Sequence, residues 1–446
     1  MRRALCPVEN IYVAQRSRAL LSCALHGPVD PAVLAAAFDA VTAEQPLLLT
    51  RIVRDGDGDG DGDGHALELL PEAERPRLRV RTGGEEVYAE ELNTPLTVGG
   101  PLTRAVLVTD PGEERHTLYL SIDHVIADGH SAVALLNTIW DRYRERMGGT
   151  PAPLPPVAGF PEPVSTLLPP SDAADTEKHL EQRVEQIGRH PAELVPYDVK
   201  PAPDASGEPH GATPGEPHRI EVRRLLLDTG QTARLRERAR AEGVSVHSLI
   251  SAAVLLAARR RLDGDAGPRP LGCLSPVDLR SRLSPPVPAT VIVAAVTMHL
   301  QILPVGQESD VLELAREVGD GLRDFLDRGA HFQETRIMPS TRTHPTLHLG
   351  TVIVTNMGPV PGPRLPEGTR VTDVRLAPAR ENYFPQAGRS PVMACVATFD
   401  GRLGIELPHH TACFSRPFMR ELAGEVRTTL LALAKSDEEP HPATAV

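Results

Sequence analysis

The stretch "YLSIDHVIADGH", residues 119–130, joins two sequence patterns and contains the residues most able to do chemistry. Alternating apolar residues before it predict a strand over 116–123, and "HSAVALLNTIWDRYRERM" after it predicts an amphipathic helix over 130–147. Asp128 stands where a helix is capped. The sequence therefore places His124 in a short loop between a strand and a helix.

The residues alone leave three interpretations of this motif open. His124 and Asp128 can be a polar pair where a strand turns into a helix. They could instead bind a metal, but no third ligand stands nearby at a plausible spacing, so we predict no metal site. An imidazole with a pKa of about 6.5 is also suited to accept a proton at neutral pH, which makes His124 a candidate general base.

The composition is that of a globular protein with an acidic balance. The chain has 446 residues, of which 41% are hydrophobic and 24% are charged, so at about 100–200 residues per domain we expect two domains or lobes. The formal net charge of −12 disfavours nucleic acid as a partner, because binding a polyanion needs a basic surface.

Cysteine usage and hydropathy predict a cytoplasmic protein. The five cysteines are odd in number, far apart and without a CxxC pair, so they form neither a disulfide framework nor a zinc ribbon. The most apolar stretch, "SLISAAVLLAA" at 248–258, is shorter than the roughly 20 residues that cross a bilayer. We therefore expect no membrane span.

Proline and glycine divide the chain near its middle. Two stretches rich in both residues flank a charged helical segment, 172–189. We predict an N-terminal lobe over 1–165, a linker region over 166–217 and a C-terminal lobe over 218–446. Each half mixes helices with strands, one of them "VIVAAVTMHLQILPV" at 291–305, so the predicted class is α/β (α+β).

A Gly-Asp tract imitates a calcium loop. "DGDGDGDGHALE" fits that pattern at Asp57, Asp59, Asp61, Gly62 and Glu68. The repeat itself generates most of the match, and no helix precedes the tract. We therefore predict a solvated hairpin loop and no calcium site.

Four segments in order resemble a known superfamily. "DHVIADG" at 123–129 is similar to the HHxxxDG motif of condensation domains and polyketide-associated acyltransferases, which share the chloramphenicol-acetyltransferase-like fold. "EGVSVHSLISAAVLLAARR" at 242–260 resembles the buried helix of these proteins. "LSPVDLRSRLSPPVP" at 274–288 resembles their arginine-bearing strand, and "VTNMGPVPG" at 354–362 resembles a later strand and turn. The resemblance covers nearly the whole chain.

The resemblance implies an architecture and a set of site residues. It implies two lobes, each a mixed sheet with helices, arranged in a V around a central channel, with a segment around 350–375 crossing between them. His124 would be the general base, and Asp128 would pair with Arg280 rather than touch substrate. The site residues that this resemblance and the motif assign are His124 and Gly129 (catalytic), Asp128, Arg280 and Asp123 (structural), and Asn356, Thr355 and Gly358 (substrate-binding).

Individual positions refine this assignment. Gly129 is a candidate oxyanion donor because glycine permits close approach to its backbone N–H. Asp123 replaces the first histidine of the motif. Thr355-Asn356-Met357-Gly358 stands where relatives carry Ser-Asn-x-Gly or Asp-Phe-Gly-Trp, which favours the acyltransferase branch.

The implied reaction moves an acyl group from a pantetheinyl thioester to a hydroxyl of a natural-product or lipid acceptor. The donor would be acyl-CoA or an acyl carrier protein, the acceptor a small-molecule alcohol or amine, and no cofactor would stay bound. Two alternatives are a free-standing condensation enzyme that forms an amide and a catalytically silent relative that binds a carrier protein. We expect a monomer, because two lobes of one chain can complete the site.

Two arginine runs are candidates for contacts with the donor. Arg142, Arg144 and Arg146 could bind an acidic carrier protein. Arg259, Arg260 and Arg261 could meet donor phosphates, although such a run more often ends a solvated helix.

Overall fold

The computed structural model describes residues 1–55, 64–110, 112, 114–149, 159–199, 219–264, 267–382 and 387–435. The α-helices are α1 (Pro7–Gln15), α2 (Pro31–Glu44), α3 (Glu86–Asn93), α4 (Gly129–Met147), α5 (Ala173–Arg189), α6 (Thr229–Ala241), α7 (Val246–Arg259), α8 (Val311–Asp327), α9 (Ala330–Ile337) and α10 (Arg416–Leu433). The strands are β1 (Arg2–Ala4), β2 (Ser17–His26), β3 (Thr50–Arg54), β4 (His65–Leu69), β5 (Leu78–Thr82), β6 (Thr103–Asp110), β7 (Arg115–Asp123), β8 (Val195–Pro196), β9 (Ile220–Leu227), β10 (Arg269–Asp278), β11 (Val296–Val305), β12 (Val352–Pro359), β13 (Arg370–Arg380), β14 (Arg389–Ser390), β15 (Val392–Phe399) and β16 (Arg402–His410).

Two mixed sheets organise these elements. One has five strands in the order β13-β2-β7-β6-β5, and the other has six in the order β11-β10-β12-β15-β16-β9. Leu34 and Phe38 of α2 and Trp140 of α4 bury their side chains against the first sheet. The largest core lies between the second sheet and helices that include α7, whose residues 248–259 are all buried. The predicted fold class, mixed sheets with packed helices, is confirmed, and the V arrangement stays a prediction.

Strand β13 crosses from one sheet to the other. It lies between β12 and β15 in the chain, both of which belong to the six-stranded sheet. It nevertheless pairs antiparallel with β2, from Arg370 opposite His26 to Arg380 opposite Ser17. The crossing expected around 350–375 is present, and the strand it delivers continues to Arg380. The lobe limits at 165 and 217 stay predictions.

One predicted strand is shorter than expected. Its pattern starts at residue 291, but β11 begins at Val296. The backbone of Val293 and Ala295 instead bonds to the side chains of Ser131 and Asp128. These residues therefore leave the sheet because the motif helix uses their backbone groups.

The central part of the predicted linker has a definite position. Its α5 packs Ile187 against Leu274 and Leu300 of the six-stranded sheet. The side chain of Glu334 on α9, 1% exposed, accepts from His179 of α5 at 2.9 Å. The acidic half of the Gly-Asp tract, Asp57 to Gly62, lies outside the described residues.

Candidate active site

His124 follows the last residue of β7, and its backbone fixes it against the start of β2. The His124 N–H donates to the Ser17 carbonyl at 3.0 Å. Its ring Nδ1 lies 3.1 Å from the carbonyl oxygen of Ala127. A carbonyl can only accept, so we assign the ring proton to Nδ1. This tautomer leaves a lone pair on Nε2, which is the form a general base needs.

The surroundings of His124 favour its neutral form. Burial lowers the pKa of the imidazole below 6.5, against the opposing effects of the Asp128 carboxylate and the Ala127 carbonyl. The side chain is half-buried. Among the described residues none forms a hydrogen bond with Nε2. The imidazole is thus uncharged at neutral pH, with its proton on Nδ1, and Nε2 is available to another molecule.

Tyr12 of α1 stacks on this imidazole. The two ring centroids are 5.8 Å apart with an interplanar angle of 23°. Tyr12 is only 5% exposed. The predicted elements did not include α1, so Tyr12 is a neighbour of the base that the motif does not indicate. Tyr12 lies five residues before β2, and the short sequence around it has no apolar pattern that predicts a helix.

Asp128 caps α4 and is held by a second element, as the motif predicts. Its Oδ1 accepts from the Ser131 N–H at 2.9 Å, and its Oδ2 accepts from the Ala295 N–H at 2.9 Å. The Arg280 guanidinium donates to both carboxylate oxygens, at 2.6 Å and 3.0 Å. The ion pair expected between Asp128 and Arg280 is therefore present in the structure, and it is bidentate.

The pair is buried and fully hydrogen-bonded on the carboxylate side. Asp128 is 6% exposed and Arg280 is 5% exposed. Burial opposes ionisation of Asp128, but the charge and hydrogen bonds of Arg280, with the N–H groups of Ser131 and Ala295, outweigh it and lower its pKa. Asp128 is thus a permanently charged, satisfied group at neutral pH. It has no remaining capacity to act as a second base.

Gly129 lies where the motif meets the end of β12. A Cβ added to Gly129 would stand 2.7 Å from Met357 Sδ and 3.0 Å from Leu376 Cδ2. A side chain here would therefore displace the residues that pack on the start of α4. The Gly129 N–H belongs to the first turn of α4, where helix geometry supplies no partner. Its role as an oxyanion donor stays a prediction.

The other β12 residues form a tight strand end. Asn356 Oδ1 accepts from the Gly358 N–H at 2.8 Å, and Gly358 has a φ of 65°. Thr355 pairs with Cys395 of β15 in parallel register. The side-chain oxygen of Asn356 therefore has a partner within its own segment of the chain. Contact of Thr355, Asn356 or Gly358 with substrate stays a prediction.

Asp123 is the last residue of β7 and directly precedes His124. The Asp123 carboxylate accepts from the Val125 N–H at 2.9 Å. Burial raises the pKa of Asp123 to about 6, with that N–H and Arg18 acting in the opposite direction. Asp123 therefore shapes the turn around His124, and the Asp123 carboxyl itself gains a proton in weakly acidic solution.

Arg142 and Arg144 of the first arginine run are engaged within the protein. Glu44 and Glu145 each bind Arg142 at 2.8 Å, and Asp141 lies 3.5 Å from Arg144. The carrier-protein patch is therefore less basic than the sequence indicates.

The second run is still less available to a phosphate. Arg259 is fully buried and donates to the Val305 carbonyl at 3.0 Å. Arg261 pairs with Glu425 at 3.0 Å. The expectation that this run meets donor phosphates is wrong for Arg259, because the end of α7 is inside the core rather than at its surface.

The described residues contain neither a cluster of metal ligands nor a single helix suited to cross a membrane. No group of three or more His, Cys, Asp or Glu side chains in the described ranges could hold a metal ion. No single helix in those ranges is long and apolar enough to cross a membrane. Helices α6 and α7 taken together are long and apolar enough, by length and composition only, but the pair is bent by 100°.

Known proteins match the chain over most of its length. Residues 216–408 match the family described as phthiocerol/phthiodiolone dimycocerosyl transferase C-terminus. A phthiocerol/phthiodiolone dimycocerosyl transferase of Mycobacterium ulcerans (strain Agy99) is 28% identical over 378 residues, which are 83% of this chain and 84% of the relative.

Solved structures extend the match to the fold. Polyketide synthase associated protein 5 from Mycobacterium tuberculosis has a TM-score of 0.73 at 22% identity, covering 97% of this chain and 98% of its own. The first condensation domain of the calcium-dependent antibiotic synthetase has a TM-score of 0.70 at 18% identity, covering 97% of each chain. At these identities the structures show the fold alone. The sequence relatives over most of the chain show an acyltransferase, and the solved structures show the chloramphenicol-acetyltransferase-like fold that condensation domains and polyketide-associated acyltransferases share.

Proposed function

We propose that this acyltransferase moves an acyl group from a pantetheinyl thioester to a hydroxyl of a natural-product or lipid acceptor, with His124 as general base. One observation carries the proposal. The His124 ring has its proton fixed on Nδ1 by Ala127 and leaves Nε2 without a partner in the described chain. The sequence relatives supply the reaction class, because the curated ones are named as dimycocerosyl transferases.

Direct transfer needs only one base. Nε2 takes the proton of the acceptor hydroxyl as its oxygen attacks the thioester carbonyl carbon. The carbonyl π electrons move to oxygen and form a tetrahedral oxyanion. When the oxyanion collapses, the C–S bond breaks, and the departing thiolate takes the proton back from Nε2. No acyl-enzyme forms, so none of the five cysteines is required.

The thiol chemistry of the chain agrees with this route. Burial raises the pKa of Cys23 and Cys395, and it raises that of Cys273 to about 11. Such thiols remain protonated and are poor nucleophiles. Cys6 is only half-buried, but burial and the charge of Glu9 also raise its pKa. A direct mechanism is therefore favoured over one that passes through a cysteine thioester.

Product identification tests the proposal. The purified chain is incubated with acyl-CoA or an acylated carrier protein and with alcohol and amine acceptors, and the products are identified by mass spectrometry. We expect an ester with at least one donor. An amide as the sole product would favour the condensation alternative, and no product above the protein-free control would favour a binding protein. Turnover that persists unchanged in His124→Ala would reject His124 as the base.

The acid limb of the rate should report the base. Since the pKa of His124 lies below 6.5, its neutral form is present above that pKa, and kcat/KM should fall as pH drops through a value below 6.5. Asp123, with a pKa of about 6, titrates in the same region. Asp123→Asn removes that second titration and should keep the acid limb. A limb above pH 7 in both proteins would contradict this assignment.

A further inference from the structure

The hydroxyl of Tyr12 is buried and has no hydrogen-bond partner among the residues that the structure describes. Tyr12 is 5% exposed, and its Oη is among the enclosed polar atoms without a partner. A buried hydroxyl that lacks a partner destabilises the folded state. A phenylalanine would fill nearly the same space without that cost. The hydroxyl therefore calls for an explanation outside the folding of the chain.

Tyr12 also lines a small cleft, whose wall includes Val8, Val164, Ala294 and Thr335. These residues come from α1, from α9 and from two segments that follow the motif in the chain, one before α5 and one before β11. The Tyr12 ring is the part of this wall that stacks on His124. Tyr12 is therefore a direct neighbour of both the cleft and the base.

We propose that the Tyr12 hydroxyl is a further catalytic donor, which hydrogen-bonds the oxyanion that forms when the acceptor attacks the thioester. The inference rests on the function proposed above. It assigns a side chain outside the histidine motif and outside the β12 segment to the reacting atoms.

The protonation state of Tyr12 suits a donor. Burial, with added effects of Asp128 and Cys6, raises the pKa of the phenol above its ordinary value. The phenol therefore keeps its proton throughout the working range of pH. It donates a hydrogen bond to the oxyanion without transferring the proton, so His124 remains the only group that carries a proton from acceptor to thiolate. A preorganised donor in a site shielded from water stabilises negative charge strongly.

A structural role and a catalytic role predict opposite results for Tyr12→Phe. The variant keeps the ring that stacks on His124 and removes only the oxygen. If the hydroxyl served the fold, its loss would lower the melting temperature. If the hydroxyl serves catalysis, its loss leaves the melting temperature unchanged or raises it, because an unsatisfied buried group has been removed.

Tyr88 of α3 provides a matched control. Its Oη is likewise enclosed without a partner, but its ring packs under the Arg375 guanidinium, 4.1 Å away. It has no contact with His124. Tyr88→Phe thus deletes the same kind of atom at a site that the mechanism does not use.

The experiment measures kcat and the donor KM of wild type, Tyr12→Phe, Tyr88→Phe and His124→Ala, each with its melting temperature. We expect Tyr12→Phe to lower kcat by about 100-fold, as loss of one oxyanion donor does elsewhere. Its donor KM should stay within about twofold of wild type, because the interaction forms only in the transition state. Tyr88→Phe should match wild type.

Two results would overturn the inference in distinguishable ways. A Tyr12→Phe protein with the kcat of wild type, while His124→Ala is inactive, would remove Tyr12 from the mechanism and leave the proposed function intact. A fall in kcat that accompanies an equal loss of folded protein would also reject it. Absence of transfer by the wild type with every donor would instead reject the proposed function, and the role of Tyr12 with it.

Discussion

His124→Ala is expected to lower kcat/KM by about 10³-fold, within the range of 10²–10⁴ that a positioned general base contributes. The variant removes the only lone pair that the motif presents to an acceptor hydroxyl. It also removes a half-buried ring that, within the described part of the chain, makes one polar contact, from Nδ1 to Ala127. The free energy of unfolding should therefore change little, although kcat/KM falls strongly.

His130→Ala is the matched control for that variant. His130 lies six residues further on, in the first turn of α4, and its side chain is exposed. Its removal should leave the rate at the wild-type value. Initial rates of ester formation at saturating acceptor give the comparison. Equal losses in both variants would mean that the motif responds to any change in this region, and the role of His124 as base would be rejected.

Asp128→Ala is expected to reduce the free energy of unfolding by about 3–5 kcal/mol, because it leaves the buried Arg280 guanidinium without its main counter-ion. It also leaves the N–H groups of Ser131 and Ala295 without their acceptor. Chemical denaturation measures the loss. Activity should fall because the loop that carries His124 is no longer tied to the second half of the chain.

Two controls separate this effect from a loss of catalytic chemistry. Asp278 contacts Arg280 at 3.0 Å but is partly exposed, so Asp278→Ala should cost less than about 1 kcal/mol. The double variant Asp128→Ala, Arg280→Met removes the unpaired charge and should recover part of the lost stability. If Asp128→Ala unfolded at the wild-type denaturant concentration while losing all activity, Asp128 would have a direct role in the reaction.

The pH dependence of this pair follows from the direction of the shift. The folded pKa of Asp128 lies below its ordinary value, so its contribution to stability is complete at neutral pH. That contribution is lost only as pH falls through the folded pKa, which lies below the ordinary aspartate value. Acid inactivation at a pH above that ordinary value therefore reports the imidazole or Asp123 rather than the ion pair.

The part of the site that lies in local sequence was predictable. A capping aspartate, Asp128, and an alternating strand fix the loop around His124. The resemblance adds Arg280, which lies 152 residues after Asp128 in the chain. The limits of α4 were predicted to within one residue, Gly129 instead of residue 130. Such features depend on near neighbours or on a motif whose partner is known.

The remaining features depend on tertiary contacts that a pattern does not contain. Residues 291–295 have an apolar, β-branched sequence, but the motif helix binds their backbone and keeps them out of β11. Arg142 and Arg144 read as a basic face, but Glu44 arrives from α2 to neutralise the first of them. Tyr12 lies on a helix of nine residues without a clear apolar stripe, so its contact with His124 could be found only in the fold.

A structure of the chain with a stable thioether analogue of the acyl donor and an alcohol acceptor tests the central claim most directly. The account predicts the acceptor oxygen at about 2.6–3.2 Å from His124 Nε2, within reach of the donor carbonyl carbon. An acceptor bound away from this ring, or a His124 side chain closed off from both molecules, would contradict it.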